Sequence, residues 1–216
     1  MLKQNSSSLS AGGRLGKRNY FTMSNVADPT ATSAASDKQI NSENMLKALG
    51  QFMAMMVSSN SRFDKYRRNE TGGNLSVPEL QGYAIFNQKC ATCHATDLFT
   101  DNSFRNNGLP INPAVNDVGR YRVTELEEDY YKFKVPSLRN IEKTAPYMHD
   151  GRLFTLEGVL EHYNSGVVSS VTLDPILNKN GVLGIPLTVT EKTKIIAFLK
   201  TLTDNQYLHD KRFSEY

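Results

Sequence analysis

Apolar residues recur at intervals of three and four in several stretches of the chain, and each stretch is bounded by residues that start or stop helices. From Ser42 to Ser58 the apolar positions are Met45, Leu46, Leu49, Phe52, Met53 and Met56, which predicts an amphipathic helix with Ser42 as its N-cap. The Met stripe along it reads as core packing. A second helix begins at Ser76. Ser76 and Glu79 have capping-box spacing, Pro78 suits the first turn, and Leu80, Tyr83, Ala84 and Phe86 form an apolar face that runs up to Cys90. Thr188 and Glu191 repeat the capping box before a third helix, whose face is Ile195, Ile196, Phe198, Leu199 and Leu202. Shorter helices are predicted from Thr155, through Leu156, Val159, Leu160 and Tyr163 to an end near Gly166, and over Glu125 to Tyr131.

Between these stretches the pattern lapses. Residues 1–43 are rich in Ser, Asn, Gly, Thr and Ala and predict irregular structure with little core. Residues 59–74 are polar with a Gly pair and read as a linker, and residues 97–129 are loop-rich. The fold class is therefore mainly α, with long connections and no internal repeat.

Composition narrows the class. Of 216 residues, 39% are apolar and 22% charged, as in ordinary globular chains, and the formal charge of +3 comes without a block of like charges. Nucleic acid is therefore not implied as a partner. The apolar run around Met53 to Val57 is too short to span a bilayer. The first thirteen residues hold one Lys and no apolar run, so they do not read as a secretory signal peptide.

The two cysteines change the picture most. They stand three positions apart in Cys90-Ala91-Thr92-Cys93-His94, at the end of the second predicted helix. In a Cys-x-x-Cys-His run two thiols can add across the vinyl groups of a haem, while the imidazole ligates its iron. Two other readings compete. Half of a zinc site would need further Cys or His residues at ligand spacing, and there is no other Cys. A redox dithiol would follow a strand, whereas a capped helix precedes this motif. One covalently bound haem c fits best, and long connections suit a chain that packs around a prosthetic group. The sixth iron position then decides the chemistry, because thioether, anionic oxygen and an open site tune iron differently. Met148, His149, His162 and Tyr163 are the downstream candidates, with Met148 the default on spacing alone.

Further residues carry a family resemblance. Phe133 to Asn140, Lys143 to Arg152, and Thr155-Leu156-Glu157 closely resemble the C-terminal haem domain of bacterial di-haem cytochrome c peroxidases, a family that includes the methylamine-utilisation di-haem enzymes. Ala48 to Phe52, Ser58 to Tyr66, Leu75-Ser76, Gly82, Phe86 and Thr100 to Gly108 extend the likeness to roughly residues 43–204. The resemblance implies a cytochrome c-like helical domain over residues 75–206 and a helix and linker over 44–74. Residues 1–43 would be a remnant of an N-terminal domain, and 207–216 a tail. It implies peroxide reduction with electrons from a donor protein such as a small cytochrome or cupredoxin, in the periplasm or cell envelope.

Residue by residue, the resemblance puts the distal iron ligand nineteen positions after Thr144, at Tyr163, as in the methylamine-utilisation branch. It implies a calcium ion on carbonyl groups of Thr144 and Pro146 with the side chain of Asn19. Arg139 is a candidate partner for a haem propionate, since a guanidinium binds carboxylate bidentately. The family carries a second haem motif on its N-terminal domain and a Trp between the haems. This chain has one motif and no Trp. The expectation is a chain holding the electron-transfer haem, the alternatives being a mono-haem electron carrier without peroxidase activity and a relic that holds no haem.

Overall fold

The computed structural model describes residues 41–213. They fall into two units, which part between Val57 and Ser58. In the first, helix α1 (Ser42–Met55) is capped one residue earlier than the pattern predicts, by the side chain of Asn41, which accepts from the N–H of Asn44 at 2.8 Å. Its Met stripe was expected in a core. None of its residues is buried, and Met45, Leu46, Leu49 and Met53 are all exposed. Residues 1–40 of this unit lie outside the described ones.

The second unit is mainly α. Its elements in order are α2 (Arg62–Arg67), α3 (Val77–Lys89), β1 (Phe104–Arg105), α4 (Tyr121–Thr124), β2 (Phe133–Lys134), α5 (Leu156–Glu161), β3 (Asn178–Lys179), β4 (Val182–Leu183), α6 (Val189–Lys200) and α7 (Asn205–Leu208). The strands form two antiparallel pairs, with Phe104 opposite Lys134 and Asn178 opposite Leu183. Both predicted capping boxes are made. Glu79 accepts from the Ser76 N–H at 2.7 Å, and Glu191 accepts from the Thr188 N–H at 2.8 Å. Over Glu125 to Tyr131 the chain instead forms a 3-10 turn, Glu127–Asp129, because α4 has already ended at Glu125 in a left-handed conformation.

The core lies where α3 crosses α6. Phe198 of α6 is fully buried, and its ring centroid lies 5.1 Å from those of Tyr83 and Phe86 and 5.2 Å from that of Phe63. Gly82 lets the two helices meet: a Cβ there would stand 1.9 Å from the carbonyl oxygen of Lys194. Phe63 comes from α2, inside the segment that composition presents as a linker. The polar residues around it conceal this, because they form a buried cap rather than a solvated loop. The Ser61 N–H and hydroxyl donate to Asp64 at 2.9 and 2.8 Å, and both residues are buried.

Asp64 also receives two hydrogen bonds of 2.8 Å from the guanidinium of Arg139. Burial works against its charge, but Arg139 and Ser61 outweigh burial and hold the carboxyl below its ordinary value. A depressed folded value makes this contribution complete above the ordinary carboxylate range and lost as pH falls through the folded value. Asp64→Asn is therefore expected to cost about 3 kcal/mol at neutral pH, because it removes the carboxylate that pairs with the Arg139 guanidinium. The difference from the parent should shrink in acid. Urea midpoints of the two proteins from pH 7 down to pH 3 check this, and a gap that stays constant would rule it out.

Candidate functional site

The Cys-x-x-Cys-His run begins where α3 ends. The Cys90 N–H still donates to the Phe86 carbonyl at 2.8 Å, and the Cys90 carbonyl then accepts from the N–H groups of Cys93 at 3.2 Å and His94 at 3.0 Å. This single turn keeps both thiols and the imidazole together. Neither cysteine is in a disulfide. Burial above all, then the neighbouring Cys93, pushes the Cys90 thiol up to about 12 against the pull of Lys89, and burial also raises Cys93. A dithiol redox motif needs the opposite shift.

His94 is oriented by the loop that follows. Its Nδ1 lies 3.0 Å from the carbonyl oxygen of Phe99. A carbonyl only accepts, so Nδ1 carries the proton and Nε2 keeps the lone pair that a metal requires. Burial lowers His94 below the usual imidazole value, against the Phe99 and Pro136 carbonyls, and this favours the same neutral form. The loop is closed by the Asp101 N–H, which donates to the Cys93 carbonyl at 2.9 Å. Among the described residues no group of three or more His, Cys, Asp and Glu side chains converges for a small metal ion. Two thiols with one oriented imidazole are a donor set that fits a porphyrin rather than zinc.

Tyr163 lies in the turn that follows α5. Thr155 caps α5, accepting from Gly158 N–H at 3.1 Å, and α5 runs into a wide π-type turn, His162–Gly166. Such turns are frequent at functional sites because they re-aim a side chain. Desolvation pushes the Tyr163 phenol up to about 12, with Asn107 opposing and the charges of Cys93 and Cys90 adding to the rise. Its oxygen is therefore within electrostatic reach of both cysteines. The Tyr163 carbonyl is held by the Ile185 N–H at 2.6 Å and is approached closely by Gly184, whose φ of +83° suits glycine.

The other candidates lie around this axis. Met148 has a left-handed backbone, and its sulfur accepts from Asn107 Nδ2 at 3.4 Å. His162 is buried, and its Nε2 donates to the Asn107 carbonyl at 3.1 Å. His149 stacks on Phe133 with ring centroids 3.9 Å apart, beside a small pocket that includes Asn107, Asp117 and Tyr131. Arg139, expected at a propionate, faces Asp64 with both terminal nitrogens and the Asp97 carbonyl with Nε at 3.0 Å. Thr144 and Pro146 are exposed on one turn, and Asn19 lies outside the described residues.

Two residues of the site escaped the sequence reading. Arg105 donates to Asp101 at 2.7 Å, Asp174 at 2.8 Å and Ser103 at 2.8 Å, and its charge acts on both Cys93 and His94. Asn107 touches both Met148 and His162. Both sit in the stretch Thr100 to Gly108, where the Asp101-x-Ser103 turn was the available signal of an ordered loop.

Known proteins resemble this chain in sequence and fold. A family model described as di-haem cytochrome c peroxidase matches residues 13–72, ahead of the cysteine motif. The methylamine utilization protein MauG of Methylorubrum extorquens is 34% identical over 171 residues, which cover 77% of this chain and 46% of that protein. The cytochrome c551 peroxidase of Nitrosomonas europaea is likewise 34% identical over 171 residues, covering 78% of this chain and 46% of that protein. A crystal structure of a MauG-like protein associated with microbial copper homeostasis superposes with a TM-score of 0.68 at 32% identity, over 85% of this chain and 64% of the other. The chain spans about half the length of the curated relatives it matches.

Proposed function

Because the chain belongs to the di-haem cytochrome c peroxidase family, we propose that it is a haem-dependent oxidoreductase in which Cys90 and Cys93 bind one haem c, His94 ligates its iron and Tyr163 lies on the opposite face. When bound, the haem supplies one-electron redox chemistry. The chain's own residues set its terms. Phe99 fixes the imidazole through Nδ1, the α3–α6 core holds the thiols, and the turn after α5 brings an oxygen that favours ferric iron. The observation that carries the proposal is the turn at the end of α3, which keeps both thiols together with an imidazole whose Nδ1 is held by the Phe99 carbonyl. In this reading the haem passes electrons from a donor such as a small cytochrome or cupredoxin toward peroxide, in the periplasm or cell envelope. No helix among the described residues is long and apolar enough to cross a membrane. The same reading gives Thr144, Pro146 and Asn19 to a calcium ion.

A second reading is a mono-haem carrier without peroxidase activity of its own. Reduced-minus-oxidised spectra of the chain, produced with a haem-attachment system, are expected to show a c-type haem. Tyr163→Phe is expected to raise the midpoint potential, since it removes an anionic donor. Peroxide turnover with a reduced donor cytochrome separates the two readings: turnover by the isolated chain supports the peroxidase, and its absence beside normal electron exchange supports the carrier. A chain without a c-type spectrum would sink both.

A further inference from the structure

The loop that orients His94 is held from outside. It turns at Thr96 and Phe99, whose φ values of +67° and +55° lie in the left-handed region that β-branched and aromatic residues avoid. Such a backbone persists only where its surroundings over-determine it. Three consecutive carbonyls of this loop each meet a separate donor. Arg139 Nε donates to the Asp97 carbonyl at 3.0 Å, the Ser137 hydroxyl donates to the Leu98 carbonyl at 2.6 Å, and His94 Nδ1 donates to the Phe99 carbonyl at 3.0 Å. The first two fix the direction of the third. Arg139 is itself anchored. Its two terminal nitrogens each donate to Asp64 at 2.8 Å, and only 10% of its side chain and 11% of that of Asp64 are exposed. The Phe99 ring adds an apolar hold, packing on Phe63 and Phe86 with centroids 5.7 and 5.8 Å away. A connected path thus runs from Asp64 on α2, through the Arg139 guanidinium and the loop backbone, to the imidazole.

We propose that Arg139, anchored by Asp64, is a positioning residue for the proximal imidazole: it holds in place the loop carbonyl that takes the Nδ1 proton of His94, and so sets how strongly Nε2 donates to iron. This rests on the reading in which Cys90 and Cys93 carry the haem and His94 ligates its iron. A carbonyl that accepts from Nδ1–H makes the other ring nitrogen a more basic ligand. A more basic ligand favours ferric over ferrous iron, so the held loop lowers the reduction potential. Arg139 acts through the loop rather than on the iron.

The test uses the haem-loaded chain and reads potential, not turnover. His94→Gly comes first. If it keeps the parental ferric spectrum, His94 is not the ligand, and the reading and this inference fall together. If the spectrum changes, Arg139→Gln is expected to raise the midpoint potential, shifting the ferric-to-ferrous ratio by about tenfold, which is about 59 mV for one electron. Arg139→Lys separates positioning from stability. A single ammonium can pair with Asp64 but does not also occupy the Nε edge, so the urea midpoint should recover toward the parent while the potential stays raised. If Arg139→Gln does not fold, Arg139→Lys decides alone. Ser61→Ala is the converse control. It removes a buried hydroxyl that caps α2 and bonds Asp64, and it leaves the donors to Asp97 and Leu98 in place, so the urea midpoint should fall at parental potential. A parental potential in Arg139→Gln, its full restoration in Arg139→Lys, or an equal rise in Ser61→Ala would overturn the proposal while leaving the haem assignment intact.

Discussion

The double variant Cys90→Ala/Cys93→Ala is expected to run through denaturing electrophoresis without haem, whereas His94→Gly keeps haem on the chain and loses its proximal ligand. The distinction follows from the division of labour in the turn after α3. In the proposed reading the thiols supply covalent bonds that survive unfolding, and the imidazole supplies a coordinate bond that does not. Removing both cysteines costs all covalent attachment, while His94→Gly should leave attachment unchanged and alter only the absorption spectrum. Haem staining and the intact mass of each variant measure the first effect, and the ferric spectrum with and without added imidazole measures the second. Haem retained by the double variant after denaturation would show attachment at some other place. A parental spectrum in His94→Gly would remove His94 from the iron.

Gly82→Val is expected to prevent the second unit from folding. The hypothetical Cβ meets backbone, at 1.9 Å from the Lys194 carbonyl oxygen and 2.6 Å from its carbon, so no flexible side chain can yield. The helices must separate, and Phe198, the most deeply buried ring, loses its partners on α3. Loss of a buried Phe contact set costs about 3–5 kcal/mol, and overpacking adds about 1–3 kcal/mol, which approaches the whole stability of a domain this size. Gly50→Ala is the control. Gly50 lies inside α1 with nothing within 4 Å of its Cβ position, so the gain in helix propensity, about 1 kcal/mol, should appear there without any clash. Circular dichroism and urea unfolding distinguish the two. A cooperative, near-parental transition in Gly82→Val would refute the close crossing.

What the chain declares in one dimension and what it withholds can be traced to particular residues. Capping boxes at Ser76 and Thr188 were readable because their chemistry is local, three residues apart, and the structure makes both. The helix before Cys90 and the helix over α6 were readable from periodicity for the same reason. Phe63 was not, since two aromatics, Phe63 and Tyr66, among Ser, Arg, Asp and Lys are too few to set a period, and its burial depends on Phe198, far along the chain. The Met stripe of α1 shows the converse: periodicity reports that a helix has an apolar face, not which surface covers it. At the site, Cys90, Cys93 and His94 announce themselves by spacing. Tyr163 needed a family likeness, and Asn107 and Arg105 were invisible as polar members of a loop, because their contacts exist only once Met148, His162, Asp101 and Asp174 are brought to them.

The crossing of α3 and α6 also has a consequence in time. The turn that holds Cys90, Cys93 and His94 is closed by contacts no more than eight residues apart, such as Asp101 to Cys93 and Phe99 to His94. Its helix docks against α6, more than a hundred residues later. Short-range closures form fast and long-range ones late. A chain made from its N-terminus therefore presents both thiols on a nearly finished turn before α6 exists to pack against it. The order of synthesis gives a bulky, planar group its interval of access, and the arrival of α6 ends it.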